Sequence, residues 1–228
     1  MRFLCLHGMG TNSRIFESQT AAIRHALGGN HTYEWVNGSV PTEMAPGLDG
    51  LVSADEEFLM YAIAEDRDSC IKALTDLQAF IDEEGPFDAV MAFSQGAGLA
   101  ASLIIHRIRQ EQAQQRTSSS SPPLFRCAIF FCGGVPEDPT AAIEGKERRL
   151  LSFEEDGELI DIPTAHIWGR HDKLYPTFGP VLSKLCKASE REDFVHEGGH
   201  EIPGPRDPAA VAKTVQVIKR TLTRASLL

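Results

Sequence analysis

The order of apolar and polar residues along the chain predicts strands that alternate with helices. Short apolar segments, most of them rich in the β-branched and aromatic residues that favour strands, are separated by longer amphipathic stretches. Because such alternation is typical of parallel sheets with helices on both faces, we expect an α/β fold with a mostly parallel sheet of about six strands. The predicted strands are Phe3 to Leu6, Tyr33 to Val36, Ala89 to Phe93, Cys127 to Phe131, Ala165 to Trp168 and Phe194 to His196.

Apolar periodicity predicts helices in the stretches between these strands. Small residues follow Ser94 and lead into a helix that can pack closely against the sheet. Asp207-Pro208 is typical of a helix start near the end of the chain. Four apolar residues at steps of four, three and four share one face of a helix that we expect to end at Gly85-Pro86. These four residues are Cys70, Leu74, Leu77 and Ile81.

Two stretches interrupt the alternation. Residues 111–123 are polar and of low complexity, so we predict a flexible surface loop there. Residues 38–61 contain prolines, glycines and scattered apolar side chains and are too long for a tight connection. We interpret them as a substrate-covering segment, because long loops in compact domains are often functional. Residues 1–228 as a whole are expected to form one domain.

Composition narrows the range of partners. Hydrophobic residues make up 42% and charged residues 24% of the chain, and its formal net charge is −10. An acidic chain disfavours binding to nucleic-acid phosphates or anionic lipids. No apolar run reaches the roughly 18 residues that span a bilayer, and the first predicted strand leaves no room for a signal peptide. We therefore expect a cytoplasmic protein with neither a nucleic-acid nor a membrane partner.

The cysteines do not follow a metal-binding pattern. There are five of them, at irregular spacing. Cys127 and Cys132 are separated by four residues, and no second pair of cysteines or histidines follows at the spacing of a zinc site. We expect free, mostly buried thiols and no metal site.

The clearest chemical signal is the segment Val90 to Gly98, in which an apolar strand runs into Ser94 and then into a helix of small residues. This is typical of a nucleophile elbow, a strained strand-to-helix turn that exposes the serine Oγ. Bulky side chains two positions away would clash in such a turn, which accounts for Ala92 and Gly96. The common pattern has glycine at both positions, so Ala92 departs from it by one methyl group. The alternative is that Ser94 is only a helix N-cap and that the small residues serve packing.

Two partners for Ser94 follow in the expected chain order, first an acid and then a histidine, each after a later strand. Asp172 follows the predicted strand that ends at Trp168, and His200 lies in a glycine-rich loop after the last predicted strand. A serine hydroxyl needs a base, and the base needs an acid that fixes its tautomer. Ser94, His200 and Asp172 are therefore a candidate catalytic triad, and its chain order predicts the α/β-hydrolase fold.

Neighbouring residues offer alternatives for these roles. His196, at the end of a predicted strand, is a second candidate base, although a packed histidine is the more ordinary interpretation. His171 is expected to be a solvated loop residue. Asp161 precedes its strand and therefore lies at the wrong end of the sheet.

Backbone N–H groups are needed to stabilise the oxyanion that forms when a serine attacks a carbonyl. The residue after the nucleophile, Gln95, can supply one, and Met9 in the turn after the first strand can supply a second. In the same turn we predict that His7, Gly8 and Gly10 bind substrate.

The same turn has two other interpretations. It could simply end the strand, since glycine-rich turns are common there. It could also be a dinucleotide-binding loop, but Ser13 stands where that loop needs its third glycine, so this signal is weak.

Four segments carry a resemblance to a known family: Leu6-His7-Gly8, Ala92 to Gly96, Gly169 to Asp172 and His196 to Pro203. Together they resemble the fungal serine hydrolase family that is related to the yeast family-of-serine-hydrolases proteins and includes polyketide-releasing thioesterases of lovastatin type. The resemblance implies a small cytosolic hydrolase of esters or thioesters, without a metal or organic cofactor. For many members it also implies a place beside a polyketide synthase. The triads look alike across the family, so residues 38–61 are expected to decide specificity.

Three functions remain open on the sequence. The leading one is a thioesterase that releases an acyl or polyketide chain, with the acyl carrier domain of a polyketide synthase as a candidate partner. The second is a carboxylesterase or deacetylase that acts on a small metabolite. The third, from a different class, is a small-molecule binding protein that keeps the pocket and has lost the chemistry.

Overall fold

The computed structural model describes residues 1–48, 50, 52, 53, 55–114 and 123–227. The strands in these residues are β1 (Arg2–Leu6), β2 (Thr32–Val36), β3 (Val40–Pro41), β4 (Leu59–Met60), β5 (Ala89–Phe93), β6 (Cys127–Phe131), β7 (Thr164–Gly169) and β8 (Arg191–His196). The helices are α1 (Ser13–Leu27), α2 (Arg67–Glu84), α3 (Gln95–Gln114), α4 (Pro139–Ile143), α5 (Phe153–Asp156), α6 (Phe178–Lys184) and α7 (Pro208–Ser226).

Six of these strands form one parallel sheet in the order β2-β1-β5-β6-β7-β8. Every neighbouring pair is parallel. The sheet confirms the predicted α/β architecture, and each predicted strand lies within an observed one. β1 and β5 are adjacent in the sheet although a long stretch of chain separates them, so the loops after both strands meet at one edge.

The buried strands supply two hydrophobic layers, because successive side chains along a strand point to opposite faces. Leu4 and Leu6 of β1 belong to one layer together with buried residues of α2 and α3. Phe3 and Cys5 belong to the other, together with residues of α1 and α7. Helices therefore cover both faces, as the sequence predicts.

Side-chain caps fix the starts of three long helices. Asp66 accepts hydrogen bonds from two backbone N–H groups at the start of α2, and Asn12 caps α1. Asp207 caps α7 through the N–H of Ala210, with Pro208 in the first turn, as predicted. The α2 helix extends the predicted stripe to both sides and ends before Gly85.

The predicted loop at residues 111–123 is partly wrong. Residues 111–114 belong to the last turn of α3. The side chain of Glu111 there lies 3.7 Å from Arg107 one turn earlier, a spacing that supports helix. Residues 115–122 lie outside the described residues.

Residues 38–61 contain the short antiparallel pair β3 and β4, in which Val40 is opposite Met60. An isolated bridge joins Leu59 to Thr11, so this segment is attached to the turn after β1. Residues 49, 51 and 54 of the segment lie outside the described residues. The five cysteines are free and buried, and no helix in the described part of the chain is both long and apolar enough to cross a membrane.

A buried histidine in β7 should make stability depend on pH. Burial lowers the pKa of His166 from 6.5 to about 3, and its Nε2 lies 3.1 Å from Thr164 Oγ1. As the pH falls below about 6.5, the unfolded chain gains a proton here that the folded chain does not take up until about pH 3. Above about pH 6.5 His166 is neutral in both states and does not lower the free energy of unfolding. As the pH falls from about 6.5 towards 3, protonation of the unfolded chain lowers the free energy of unfolding progressively.

We predict that His166→Gln, which keeps a polar group and cannot titrate, makes the unfolding free energy fall less steeply between about pH 6 and pH 4. The difference in slope should approach ~1.4 kcal/mol per pH unit. Urea unfolding at several pH values measures both slopes. Equal slopes in the two proteins would contradict the assignment.

Candidate active site

The carboxyl ends of the strands bring the candidate chemical groups together. Ser94 follows β5, Asp172 lies three residues after β7, and His200 lies four residues after β8. In a parallel sheet these ends share one edge, so residues far apart in sequence meet there. His7 and Met9, after β1, lie at the same edge.

Ser94 occupies the strained turn that the sequence predicts. Its φ is 51°, in the left-handed region that non-glycine residues seldom adopt. Its N–H donates to Phe131 O at 3.0 Å, and its carbonyl accepts from the N–H groups of Gly98 and Gly134. These bonds hold the turn in place while the side chain projects from it.

Gly96 is small because backbone lies directly against it. A Cβ at this position would lie 2.5 Å from His7 O and 2.8 Å from Leu6 O. The start of α3 therefore packs on the end of β1 with no room for a side chain. Ala92, on the other side of the elbow, is fully buried and pairs with Leu6 and Phe130 in the sheet.

Ser94, His200 and Asp172 form a continuous chain of hydrogen bonds. His200 Nε2 lies 2.9 Å from Ser94 Oγ, and His200 Nδ1 lies 2.6 Å from Asp172 Oδ2. An ionised carboxylate only accepts, so Nδ1 carries the ring proton and Nε2 is left with a lone pair that faces the serine hydroxyl. This arrangement can remove the proton of Ser94.

The carboxylate of Asp172 is fixed by its own loop. Asp172 Oδ1 accepts from the N–H groups of Leu174 and Tyr175 at 3.0 and 2.8 Å, which leaves Oδ2 for His200. The side chain is only 6% exposed. Burial with hydrogen bonds to both oxygens sets one orientation of the carboxylate and hence one orientation of the imidazole.

Close backbone contact joins the loops of Asp172 and His200. A Cβ at Gly169 would lie 2.1 Å from Gly199 O, and His171 N–H donates to Gly198 O at 3.0 Å. The glycine-rich loop before His200 is evident in the sequence, but the close approach at Gly169 is not predicted from it. The signal was present in the motif Gly169 to Asp172, where glycine ends the strand.

Aromatic rings enclose His200, a feature that the sequence analysis missed. The ring centroids of Phe93 and Tyr175 lie 5.1 and 4.8 Å from that of His200, and Tyr175 stacks on Phe178. Tyr175 comes three residues after Asp172, so its place beside the acid could have been noticed. The enclosure keeps water from most of the imidazole, whose side chain is 9% exposed.

The alternative residues do not join this chain of bonds. The side chain of His171 is 63% exposed and lies 3.4 Å from Glu197. His196 is buried, its Nδ1 accepts from Gly198 N–H at 3.1 Å, and burial lowers its pKa. Asp161 is exposed and precedes β7.

The two predicted oxyanion donors lie on either side of Ser94. A Cβ at Gly8 would lie 3.3 Å from Ser94 Cβ, which places the Met9 turn against the nucleophile, and Gln95 is the first residue of α3. Neither Met9 N–H nor Gln95 N–H donates to an acceptor among the residues that the structure describes.

Two of the predicted substrate contacts have their polar groups engaged within the protein. His7 is fully buried, and its ring bonds to backbone on both sides. Gly10 has its N–H bonded to Leu59 O and its carbonyl bonded to Ala45 N–H, at 3.0 and 2.9 Å. These groups are engaged by residues 38–61 and by the turn itself. Gly8 lies next to Ser94, since a Cβ at Gly8 would be 3.3 Å from Ser94 Cβ.

Cys132 is a further residue at this edge. It is buried, with φ 43°, and its Sγ and ligand atoms of Asp172 and His200 lie within 4.8 Å of one another. That spacing could hold a metal ion. The donors do not fit one well, because Asp172 and His200 already bond to each other and burial raises the pKa of the Cys132 thiol to about 12.

One known protein family matches most of this chain. The family model described as "Serine hydrolase (FSH1)" matches residues 1–209. The chain belongs to the FSH1 serine hydrolase family. This confirms the resemblance that the four sequence segments carry, and it makes the protein a hydrolytic enzyme.

Relatives of this serine hydrolase come from fungi. Esterase FPY3 of Fusarium mangiferae is 40% identical over 228 residues, which cover 99% of this chain and 98% of FPY3. Hydrolase phiM of a fungal species is 32% identical over 204 residues, which cover 89% of this chain and 86% of phiM. The likeness extends over the full fold, including residues 38–61.

Solved structures show the same fold at much lower identity. A carboxylesterase from Mesorhizobium loti superposes with a TM-score of 0.60 at 18% identity, over 96% of this chain and 88% of the other. SOBER1 of Arabidopsis thaliana gives a TM-score of 0.57 at 16% identity, over 97% and 99%. The FSH1 family member therefore has the α/β-hydrolase fold that the sequence predicts.

The contact at Gly96 predicts a specific loss of stability. We expect Gly96→Ala to cost on the order of 1–3 kcal/mol, because the methyl group meets rigid backbone of His7 and Leu6. Gly98→Ala on the same helix is the matched control, since its nearest contacts are at 3.3 Å and alanine favours helix by roughly 1 kcal/mol. Denaturant unfolding compares them. A Gly96→Ala protein as stable as Gly98→Ala would contradict the close packing.

Proposed function

We propose that this serine hydrolase cleaves a carboxylic ester by a two-step acyl-enzyme mechanism, with Ser94 as nucleophile, His200 as base and Asp172 as acid. The observation that supports the assignment is the chain of hydrogen bonds from Asp172 through His200 to Ser94 Oγ, at 2.6 and 2.9 Å. A non-catalytic binding protein would have no need of all three groups in this geometry.

In the first step, His200 Nε2 accepts the hydroxyl proton while Ser94 Oγ attacks the carbonyl carbon. The positive charge that develops on the imidazole lies against the carboxylate of Asp172, which stabilises it. His200 then donates the proton to the leaving group, and the acyl chain remains on Ser94. In the second step His200 deprotonates a water molecule, which attacks the acyl carbon. The bond between that carbon and Ser94 Oγ then breaks, His200 returns the proton to Ser94 Oγ, and the acid product leaves.

The negative charge on the carbonyl oxygen requires N–H donors that are already in place. We assign them to the backbone of Met9 and Gln95, which flank Ser94 and are not used by other described residues. Removal of one such donor typically reduces kcat by roughly a hundredfold or more.

An ester of a small molecule is the substrate class with the most support. Relatives that cover nearly the whole chain are named esterases, and the site needs no further group to carry out the reaction. Residues 38–61 are proposed to cover the substrate, since they are attached to the Met9 turn through Gly10.

Thioester cleavage is a second candidate, and one feature of the site favours it. Met9 and Leu174 are large apolar side chains, 43% and 53% exposed, on the two loops that flank the candidate triad. Such surface suits the aliphatic part of a long acyl chain. An acyl carrier domain of a polyketide synthase would be the corresponding partner.

The test is a matched pair of substrates that carry the same butyryl group, one a p-nitrophenyl ester and the other an N-acetylcysteamine thioester. We expect the ester to be hydrolysed, and Ser94→Ala to reduce kcat by about 10⁴-fold or more. Ser102→Ala, which removes a buried serine on α3 that bonds to the backbone of Glu137, is the control and should keep activity within a few-fold.

The outcomes separate the proposals. A much higher kcat/KM for the thioester would replace the ester proposal with the thioesterase one. The catalytic assignment would be contradicted if Ser94→Ala were as active as the native protein. It would also be contradicted if the folded native protein hydrolysed neither substrate.

A further inference from the structure

The peptide unit between Gly8 and Met9 is held from its carbonyl side. Gly8 O accepts from three donors: Thr11 Oγ1 at 2.7 Å, His7 Nδ1 at 2.8 Å and Thr11 N–H at 3.3 Å. A trans peptide is planar, so its C=O and N–H point in opposite directions. Fixing Gly8 O therefore fixes the direction in which Met9 N–H points.

The His7 ring can donate to Gly8 only in one protonation state, and the structure defines it. His7 Nε2 accepts from Gly38 N–H at 2.9 Å, so Nε2 carries no proton. The single proton of the neutral ring is then on Nδ1, where it is donated to Gly8 O. Burial lowers the pKa of His7 to about 4, which keeps the ring neutral at ordinary pH.

Both ends of residues 38–61 are attached to His7. Gly38 donates to the ring, as described above, and at the other end Tyr61 Oη accepts from His7 N–H at 2.9 Å and donates to Val36 O at 2.8 Å. Tyr61 is 7% exposed, and its ring lies 4.7 Å from that of His7. The covering segment thus begins and ends on the residue that holds the Gly8 carbonyl.

The second proposed donor is attached to the same point. Gln95 Oε1 accepts from Tyr61 N–H at 2.8 Å, and Gln95 Nε2 donates to Ala62 O at 2.7 Å. The side chain of Gln95 therefore joins the start of α3 to the end of the covering segment. One network connects the backbone of Met9, the backbone of Gln95 and residues 38–61.

We propose that His7 is a positioning residue for the oxyanion site: its Nδ1–H holds Gly8 O so that Met9 N–H faces the substrate carbonyl, and the two ends of residues 38–61 hold His7. This inference rests on the proposed function. It gives residues 38–61 a part in transition-state stabilisation besides any contact with substrate. The loss on disturbing His7 should then appear in kcat and in the affinity for an oxyanion, with little change in KM.

Two substitutions of His7 separate its two hydrogen bonds. His7→Asn places an amide N–H near the position of Nδ1 and can still donate to Gly8 O. His7→Gln places its amide near the position of Nε2, so it can accept from Gly38 and cannot readily donate to Gly8. Tyr61→Phe is a third variant, which keeps the ring and removes the acceptor of His7 N–H.

The readouts are kcat and KM for the butyryl ester, together with the inhibition constant of a trifluoromethyl ketone that carries the same acyl chain and binds as an oxyanion adduct. We expect His7→Gln to lower kcat and ketone affinity by the same factor, roughly 10- to 100-fold, which is less than the ~100- to 1000-fold typical when an oxyanion donor is removed outright, because Met9 N–H is displaced and not lost. His7→Asn should recover most of this loss, and Tyr61→Phe should show a smaller loss of the same kind. His166→Gln, a buried histidine in β7, is the control and should change neither quantity more than a few-fold.

The inference is overturned if folded His7→Gln and Tyr61→Phe proteins bind the ketone as tightly as the native enzyme, or if their loss lies in KM alone. It is also overturned if His7→Asn is no better than His7→Gln. Failure of the native protein to hydrolyse the ester or bind the ketone would instead show that the proposed function is wrong. Circular dichroism of each variant confirms that it is folded.

Discussion

Close backbone packing at the carboxyl edge of the sheet is the constraint on which the rest of the site depends. Gly96 lies against the carbonyl of His7, and Gly169 lies against the carbonyl of Gly199, each with no room for a Cβ. These contacts set the distance between β1 and α3 and between the loops of Asp172 and His200. If the loops of Asp172 and His200 moved apart by the width of a methyl group, the 2.6 Å bond between these two residues would lengthen beyond hydrogen-bond reach.

Neutral, buried imidazole gives the site a second kind of support. The ring of His7 is a donor on one side and an acceptor on the other, which a protonated ring cannot be. The His200 ring is likewise a donor on one side and an acceptor on the other, since it donates to Asp172 and accepts from Ser94. One ring is proposed to move protons, and the other to hold a peptide plane still. Burial distinguishes them: His7 is sealed from solvent, whereas His200 is enclosed by aromatic rings with one side left open to Ser94.

Local sequence pattern was sufficient for the strands, the elbow and the chain order of Ser94, Asp172 and His200, because each depends on a few adjacent residues. The role of His7 could not be predicted in this way. It depends on Gly38, 31 residues later, and on Tyr61, 54 residues later, and neither partner has a sequence signature. Direct contact of His7 with substrate stays a prediction. The end of α3 was missed because its last turn is polar and solvated and resembles loop in composition.

The central claim, an activated serine at the end of β5, is tested most directly by intact-mass measurement after treatment with a fluorophosphonate probe. The account predicts one adduct on the native protein, none on Ser94→Ala, and a reaction slowed by several powers of ten on folded His200→Ala. An adduct that persists on Ser94→Ala would place the reactive group elsewhere. No adduct on the folded native protein would contradict the claim.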